Sequence, residues 1–316
     1  MSRLRTGLPA LLLNLLVLGL FIWAVEHYWG WARLLAPWRK LEGAALGLAV
    51  CGMLLSYGVR ALRIYLAERD IPRGQYLACL RLILINNVVN LLLPARSGEA
   101  SFPILMKRWF GIDAARATGT LIWLRLLDLH VLATVGAACA AGGWLAASAN
   151  LSHLAWAAAA AAAISPPLLF ALRGPLAAWL GRHPGRLAAL LARVLAGLPR
   201  RLAGLALDLG LSWLSWGIKL SALGWVLSRL AQVPPLLGTL GAIGGDLSTV
   251  LPVHAPGGFG TYEAGVLALL APGAAPSGLL LAGAVDLHLL VLTTALLAGA
   301  AAWAAGGANR AANAKL

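Results

Sequence analysis

An unbroken apolar run long enough to cross a bilayer leaves a chain few folds to choose from, and this sequence has several. The first, about residues 8–25, carries no charged residue. Others also exceed the roughly 18 residues that mark a membrane-crossing helix. In hydrocarbon every backbone N–H and C=O must be satisfied within the chain, so only α-helices and closed β-barrels can span. The alternating apolar and polar pattern of barrel strands is absent. Hydrophobic residues make up 60% of the 316 and charged residues 11%, too few polar groups to cover a water-soluble globule. The fold class is therefore all-α, a polytopic helical membrane protein.

Two apolar stretches are interrupted in the same manner. Asn86 to Glu99 reads NNVVNLLLPARSGE, and Gly244 to Glu263 reads GGDLSTVLPVHAPGGFGTYE. Each has Leu-Pro at the break (Leu93-Pro94 and Leu251-Pro252), then glycine, then a carboxylate, Glu99 or Glu263. Broken backbone is tolerated at membrane depth only where protein or a water-filled cavity satisfies it. A pair of such interruptions in corresponding halves points to a transporter's binding site.

In chain order, a retained first span (about 8–25) follows Arg3 and Arg5; it lacks the small-residue cleavage site of a signal peptide. Tyr28, Trp29, Trp31 and Trp38 then form an interfacial aromatic belt. Segments of about 41–67, 76–93, 115–141, 151–172, 205–230 and 278–304 follow, with the second broken region from about 236 to 271. The Arg-rich stretch of about 173–204 is too charged to span and reads as an interfacial amphipathic linker. It divides a single transmembrane domain (1–316) into halves of about 1–172 and 205–316.

The net charge of +14 comes from Lys and Arg in short loops, where the positive-inside bias explains it; a nucleic-acid surface is not expected. With the N-terminus in the cytoplasm and both breaks as re-entrant hairpins, residues 68–75, 104–114, 173–204 and 305–316 share the cytoplasmic side and hold most of the Arg and Lys. The opposite side keeps Arg33, Arg39, Lys40 and Arg229. A full crossing at either break would spread basic loops over both sides. The expected topology has N- and C-termini in the cytoplasm and two hairpins of opposite orientation, an inverted repeat with a site near the midplane.

Charged side chains near the bilayer centre cost at least about 2.5–3.5 kcal/mol each, so those retained need a reason. Arg96 and Glu99 lie in the first break, and Asp246, His254 and Glu263 in or beside the second. Arg125 and Asp128 stand three apart on one helix face, where they either neutralise each other or meet a ligand. Arg60 and Arg63 are also three apart, snorkelling or pointing inward; Asp208 and Lys219 are read as snorkelling. Asp286 and His288 lie in the last segment. Asn86, Asn87 and Asn90 form a polar stripe suited to interhelical bonds or to a ligand. Arg96 can grip a phosphate bidentately, and helix restarts near Gly257 and Gly258 offer free N–H groups to an anion. Those glycines serve a tight turn equally well.

Cys51, Cys79 and Cys139 lie inside apolar runs without paired spacing and read as core residues. None of the six histidines has metal-ligand spacing, no serine sits in a GxSxG elbow, and GGFG lacks the GK[ST] of a P-loop. No metal or cofactor is expected, and a transporter is favoured over an enzyme.

The first broken stretch resembles the N-x-x-N-x-x-x-P-x-x-x-G-E signature of the lysylphosphatidylglycerol synthase transmembrane (flippase-like) family, and LPVHAPGGFGTYEAG resembles its P-x-x-P-G-G-x-G-x-x-E-A signature. The resemblance covers roughly residues 10–305. It carries over Asn90, Pro94, Gly98 and Glu99, then Pro252, Pro256, Gly257, Gly258, Gly260 and Glu263, with Arg125 and Asp128 matching an E-R-x-x-D pattern. Leu124 replaces the Glu of that pattern, and Ser101-Phe102 stands where many members have Arg. The sequence ends at Leu316 without an aminoacyl-transferase domain, so synthesis of lysylphosphatidylglycerol is not expected. The resemblance implies a lipid translocator of the bacterial inner membrane. Its expected substrate-binding residues are Asn86, Asn87, Asn90, Arg96, Gly98, Glu99, Arg125, Asp128, Asp246, His254, Gly257, Gly258 and Glu263. Its partner is membrane lipid, with a homo-oligomer or a lipid-modifying enzyme as further partners. An intramembrane enzyme acting on lipid- or polyprenyl-linked substrates, and an accessory subunit of a lipid-modifying enzyme, are the alternative readings.

Overall fold

A computed structural model describes residues 23, 26–27, 30–68, 70–93, 98–142, 148–183, 185–199, 201–249, 256–270 and 277–313. All regular structure among them is helical. The helices are α1 (Trp31–Leu34), α2 (Gly43–Ala67), α3 (Tyr76–Leu92), α4 (Ser101–Phe110), α5 (Ala114–Gly142), α6 (Ala149–Arg182), α7 (Arg186–Gly197), α8 (Leu202–Leu230), α9 (Pro235–Ser248), α10 (Thr261–Leu270) and α11 (Ser277–Asn313), with 3₁₀ turns at Pro37–Lys40 and Pro256–Gly258.

Among the described residues, four helical stretches are long and apolar enough to cross a membrane: Gly43–Ala67, Ala114–Gly142, Ala149–Arg182 and Gly278–Ala305. The bent pair α8 and α9, angled by 112°, makes a fifth if counted as one span. Leu48, Leu154, Leu297 and Trp303 are exposed. For a membrane helix this is no contradiction, because apolar side chains facing lipid stay out of water. The expected first span, about 8–25, lies outside the described residues except for Trp23.

α6 departs from expectation. The sequence reading ends this segment near Arg173-Gly174-Pro175, but the helix continues to Arg182. Pro175 deletes only one backbone donor, and the continuation is tied down by Arg173. That guanidinium donates to the carbonyl of Pro199 at 2.7 Å and lies 4.0 Å from the Phe170 ring.

The chain forms two compact units interleaved in sequence. Unit 1 comprises Met1–Cys51, Val88–Gly98 and Leu220–Leu297; unit 2 comprises Gly52–Asn87, Glu99–Lys219 and Ala298–Leu316.

Unit 1 is built on glycine. Added Cβ atoms on Gly244 and Gly265 would fall 2.1 and 2.3 Å from each other's carbonyl oxygens, so α9 and α10 cross backbone against backbone. A Cβ on Gly245 would enter the Tyr262 ring, and one on Gly238 would meet the Gly224 carbonyl at 2.3 Å, where α9 folds back on the end of α8. Without a hydrophobic driving force between helices in lipid, close backbone approach through small residues supplies the packing. At 1.5 Å per residue, α9 is about 21 Å long and α10 about 15 Å. Neither reaches across a hydrocarbon core of about 30 Å.

Unit 2 is a bundle in which α5 packs against α4, α6 and α7. Its centre holds Trp123, Phe102, Met53, Leu82, Met106, Leu127 and Leu205, all fully buried. Polar contacts join the helices further: Ser56 and Ser215 share a 3.0 Å hydrogen bond, and Tyr76 donates to the Gly58 carbonyl at 3.1 Å.

Candidate functional site

Asp128, buried on α5, is the centre of the polar interior of unit 2. Arg63 donates to Oδ1 at 2.9 Å, and Trp216 donates to the same oxygen at 3.0 Å. Arg60 and Arg125 donate to Oδ2 at 3.2 and 3.3 Å. Arg63 also donates to Ser212 at 2.6 Å, and Ser212 in turn donates to the carbonyl of Asp208. Arg60 lies over the Trp216 ring at 5.6 Å. One carboxylate thus gathers arginines from α2 and α5 and an indole from α8.

Glu99 joins the same network. Its Oε1 lies 3.0 Å from Nε of Arg125. Three guanidiniums (Arg60, Arg63, Arg125) therefore face two carboxylates (Asp128, Glu99), one positive charge in excess. Asn86 on α3 donates to Ser101 at the start of α4 at 2.8 Å, and a Cβ on Gly98 would lie 2.6 Å from the Asn90 Cα and the Val89 carbonyl oxygen. Only glycine permits that approach. Arg60, Arg63, Asn86, Asn87, Arg125 and Asp128 line a cavity of about 30 Å³. Two buried donors at this cavity, Nε of Arg63 and Nδ2 of Asn87, have no hydrogen-bond partner. A cavity of that size holds about two waters, far short of a lipid headgroup.

Unit 1 holds the second constellation. Gly257, Gly258 and Gly260 all adopt positive φ, at 69°, 78° and 80°. The turn they make returns the chain into α10, where Glu263 is buried. Oε2 of Glu263 accepts the Gly260 N–H at 2.7 Å, and Oε1 lies 2.7 Å from Nδ1 of His288 on α11. Nε2 of His288 lies 2.8 Å from the Gly257 carbonyl oxygen. The imidazole is stacked on Tyr262, ring centroids 4.3 Å apart, with Phe259 at 5.0 Å. Asp246 is buried on α9, next to the Gly245 that abuts Tyr262. Arg96 and His254, both expected site residues, lie outside the described residues.

Asn86, Asn87, Glu99, Arg125 and Asp128 thus come together in unit 2, with Asn90 and Gly98 in unit 1. Asp246, Gly257, Gly258 and Glu263 belong to the turn and hairpin of unit 1. Glu263 has both oxygens engaged there, one by Gly260 and one by His288.

Arg60 and Arg63 point inward, and their spacing of three inside an apolar helix was the available signal. Snorkelling fails for Asp208 and Lys219, which are 5% and 7% exposed. Trp123 donates to Asp208 at 2.9 Å, and the Lys219 ammonium sits 4.9 Å from the Trp216 ring centre. Neighbouring tryptophans hold these charges inside the bundle, where water is not needed. Glu68, which no motif or spacing marks in the sequence, accepts from Thr120 at 2.5 Å and pairs with Arg116 at 2.8 Å. Asp286 on α11 is fully buried; Trp38 lies close, yet neither carboxylate oxygen completes a hydrogen bond. Among the described residues, no three His, Cys, Asp or Glu side chains are grouped as a metal ion would require.

The family described as the lysylphosphatidylglycerol synthase TM region matches residues 11–299. The chain belongs to that family. The match takes in both broken stretches and every residue of the two constellations, in a helical membrane protein of several spans. Comparison with curated proteins gives no match, and neither does comparison with solved structures.

Proposed function

We propose that this lysylphosphatidylglycerol synthase TM-region protein moves a phospholipid, or another lipid-linked headgroup, across the bacterial inner membrane. The observation that carries the reading is the arginine cluster on Asp128. Three buried or half-buried guanidiniums outnumber the carboxylates, and two donors beside the small cavity are unspent. Arginine's planar fork suits a phosphate's oxygens. A headgroup phosphate entering here takes the donors that Asp128 and Glu99 now hold. Glu99 is the exchangeable partner, since it is more exposed than Asp128 and meets only Arg125 of the three arginines. Because the cavity of about 30 Å³ admits no headgroup, this conformation is the occluded one, and transport requires α2 and α5 to separate.

The short helices of both breaks support re-entrant hairpins; their opposite orientation and cytoplasmic N- and C-termini rest on the distribution of Lys and Arg along the sequence. α9 and α10 fall short of a crossing, and α4 has only 10 residues.

The test is reconstitution in liposomes with fluorescent lipids of several headgroups, following the leaflet exposed to an external quencher. Wild-type protein is expected to exchange at least one of them faster than empty liposomes, and Glu99→Gln and Arg125→Gln to slow that exchange. Rates equal to empty liposomes for every headgroup overturn the proposal. Chemical conversion of the lipid, read by mass spectrometry, replaces it with the enzyme reading.

A further inference from the structure

His288 makes two hydrogen bonds, and its partners do not agree with a neutral ring and an ionised carboxylate. The Gly257 carbonyl can only accept, so Nε2 must carry a proton. An ionised Glu263 can also only accept, so Nδ1 must then carry one as well. A neutral imidazole has one N–H. The geometry is satisfied in two ways. Either His288 is an imidazolium facing a carboxylate, or Glu263 is a carboxylic acid donating to Nδ1 while Nε2–H donates to Gly257. Both contain one proton more than a neutral histidine beside a carboxylate, and both leave the pair neutral overall. That neutrality matters, because His288 and Glu263 are 2% and 3% exposed and an uncompensated charge there is costly.

His130 shows the contrasting case in the same chain. Its Nδ1 donates to the Ala162 carbonyl and its Nε2 accepts from Trp213. One donor and one acceptor suit a neutral ring, and no further proton is called for.

We propose that Glu263 and His288 form a proton-binding site that latches the Gly257–Gly260 turn to α11. With the proton present, the turn is held at two points: Gly257 by His288, and Gly260 by Glu263. When it leaves, the pair becomes an anion, and one nitrogen turns a lone pair toward an acceptor. A lone pair on Nε2 opposes the Gly257 carbonyl and frees the turn from α11; a lone pair on Nδ1 opposes the Glu263 carboxylate and loosens α10, and with it the Gly260 end of the turn, from α11. The other titratable groups on the packed elements are Tyr262 on α10, stacked on the imidazole, Asp246 on α9, beside Gly245, and Asp286 on α11. Among the described residues of these elements, none of these groups is a cation that would stabilise the deprotonated pair. Coupling of this proton to lipid movement rests on the translocator reading; the proton count does not.

The experiment uses the full chain in lipid nanodiscs with ¹⁵N-labelled histidine. His288→Asn assigns the signal, and hydrogen exchange follows the amides of residues 256–263. The expected His288 signal is either doubly protonated, or Nε2–H with a neutral Glu263 carboxyl that disappears from the infrared spectrum in Glu263→Gln. A neutral imidazole beside an ionised Glu263 at every pH at which the chain is folded, whichever nitrogen carries its proton, overturns the proposal. Raising pH until the extra proton is lost should speed amide exchange in the turn about tenfold beyond the intrinsic rate, the size expected for one lost charged hydrogen bond. Glu263→Gln mimics the protonated acid: its oxygen accepts from Gly260 and its amide donates to Nδ1. This variant should keep the turn protected at every pH. Exchange in Glu263→Gln that still accelerates as in wild type also overturns the latch. A chain that holds this proton yet moves no lipid refutes the translocator alone.

Discussion

Replacing Asp128 by Asn should be among the most damaging single changes in the bundle, and the size of the effect can be worked out. Asp128 carries the charge that compensates Arg60, Arg63 and Arg125. Without it, the three guanidiniums lose the one carboxylate that all of them touch, and Glu99 remains in contact with Arg125 alone among them. A charge pair at roughly 4 Å in a medium of effective dielectric about 20 is worth about 4 kcal/mol. Breaking a buried pair from one side costs about 3–5 kcal/mol, because the remaining charge stays desolvated. Asparagine keeps the shape and one acceptor oxygen, so about 3 kcal/mol is the expected loss. Arg63 is the partner best suited to a cycle, since it is 3% exposed and lies 2.9 Å away. Arg63→Met alone should also destabilise, but Asp128→Asn with Arg63→Met should cost clearly less than the two singles added, with a coupling of about 2 kcal/mol. The assay is thermal or denaturant unfolding in one fixed detergent, followed by tryptophan fluorescence, where Trp216 reports directly. A loss below about 1 kcal/mol for Asp128→Asn, or strict additivity in the double variant, would refute the reasoning.

Other expectations follow from single contacts. Gly244→Ala should destabilise the α9–α10 hairpin by at least about 3 kcal/mol, since its Cβ meets the Gly265 carbonyl oxygen at 2.1 Å; loss of protease resistance in residues 235–270 checks this. His130→Asn should cost about 1–2 kcal/mol of stability through the Ala162 and Trp213 bonds, while leaving the pH response of the Gly257–Gly260 turn unchanged. Asp286→Leu should raise the unfolding temperature, because it removes a fully buried carboxyl whose oxygens complete no hydrogen bond; a fall instead would show that the carboxyl holds something essential.

The helical membrane class and the two interruptions were legible because length and apolarity are properties of the chain itself. The pairing of Arg125 with Asp128 was legible from a spacing of three. Which face of a helix meets protein was not. In a water-soluble helix the polar face marks the solvent side, but here both faces are apolar, so the spacing of Arg60 and Arg63 put them on one face of α2 without deciding between snorkelling and an inward partner on α5. Asp208 and Lys219 misled for the same reason: a charge near a helix end snorkels unless tryptophans such as Trp123 and Trp216 meet it. The contact of Glu263 with His288 joins residues 25 apart across α10 and α11, and no periodicity reports it. The continuation of α6 past Pro175 depends on Arg173 finding Pro199 and Phe170, which only the folded chain supplies.

The Asp128 cluster also sets a problem for synthesis. Arg63 precedes its counterion by 65 residues, so α2 enters the membrane carrying two arginines before Asp128 exists. At about 5–20 residues per second, that interval lasts roughly 3–13 s. Each unpaired arginine weighs against insertion, by up to the roughly 2.5–3.5 kcal/mol that applies at a helix centre. The nascent helix must spend that time beside the translocon, at the interface or among anionic headgroups, and commits fully only when α5 arrives. Biogenesis of this protein should therefore be most sensitive to changes that delay or weaken α5, even where they leave the sequence of α2 untouched.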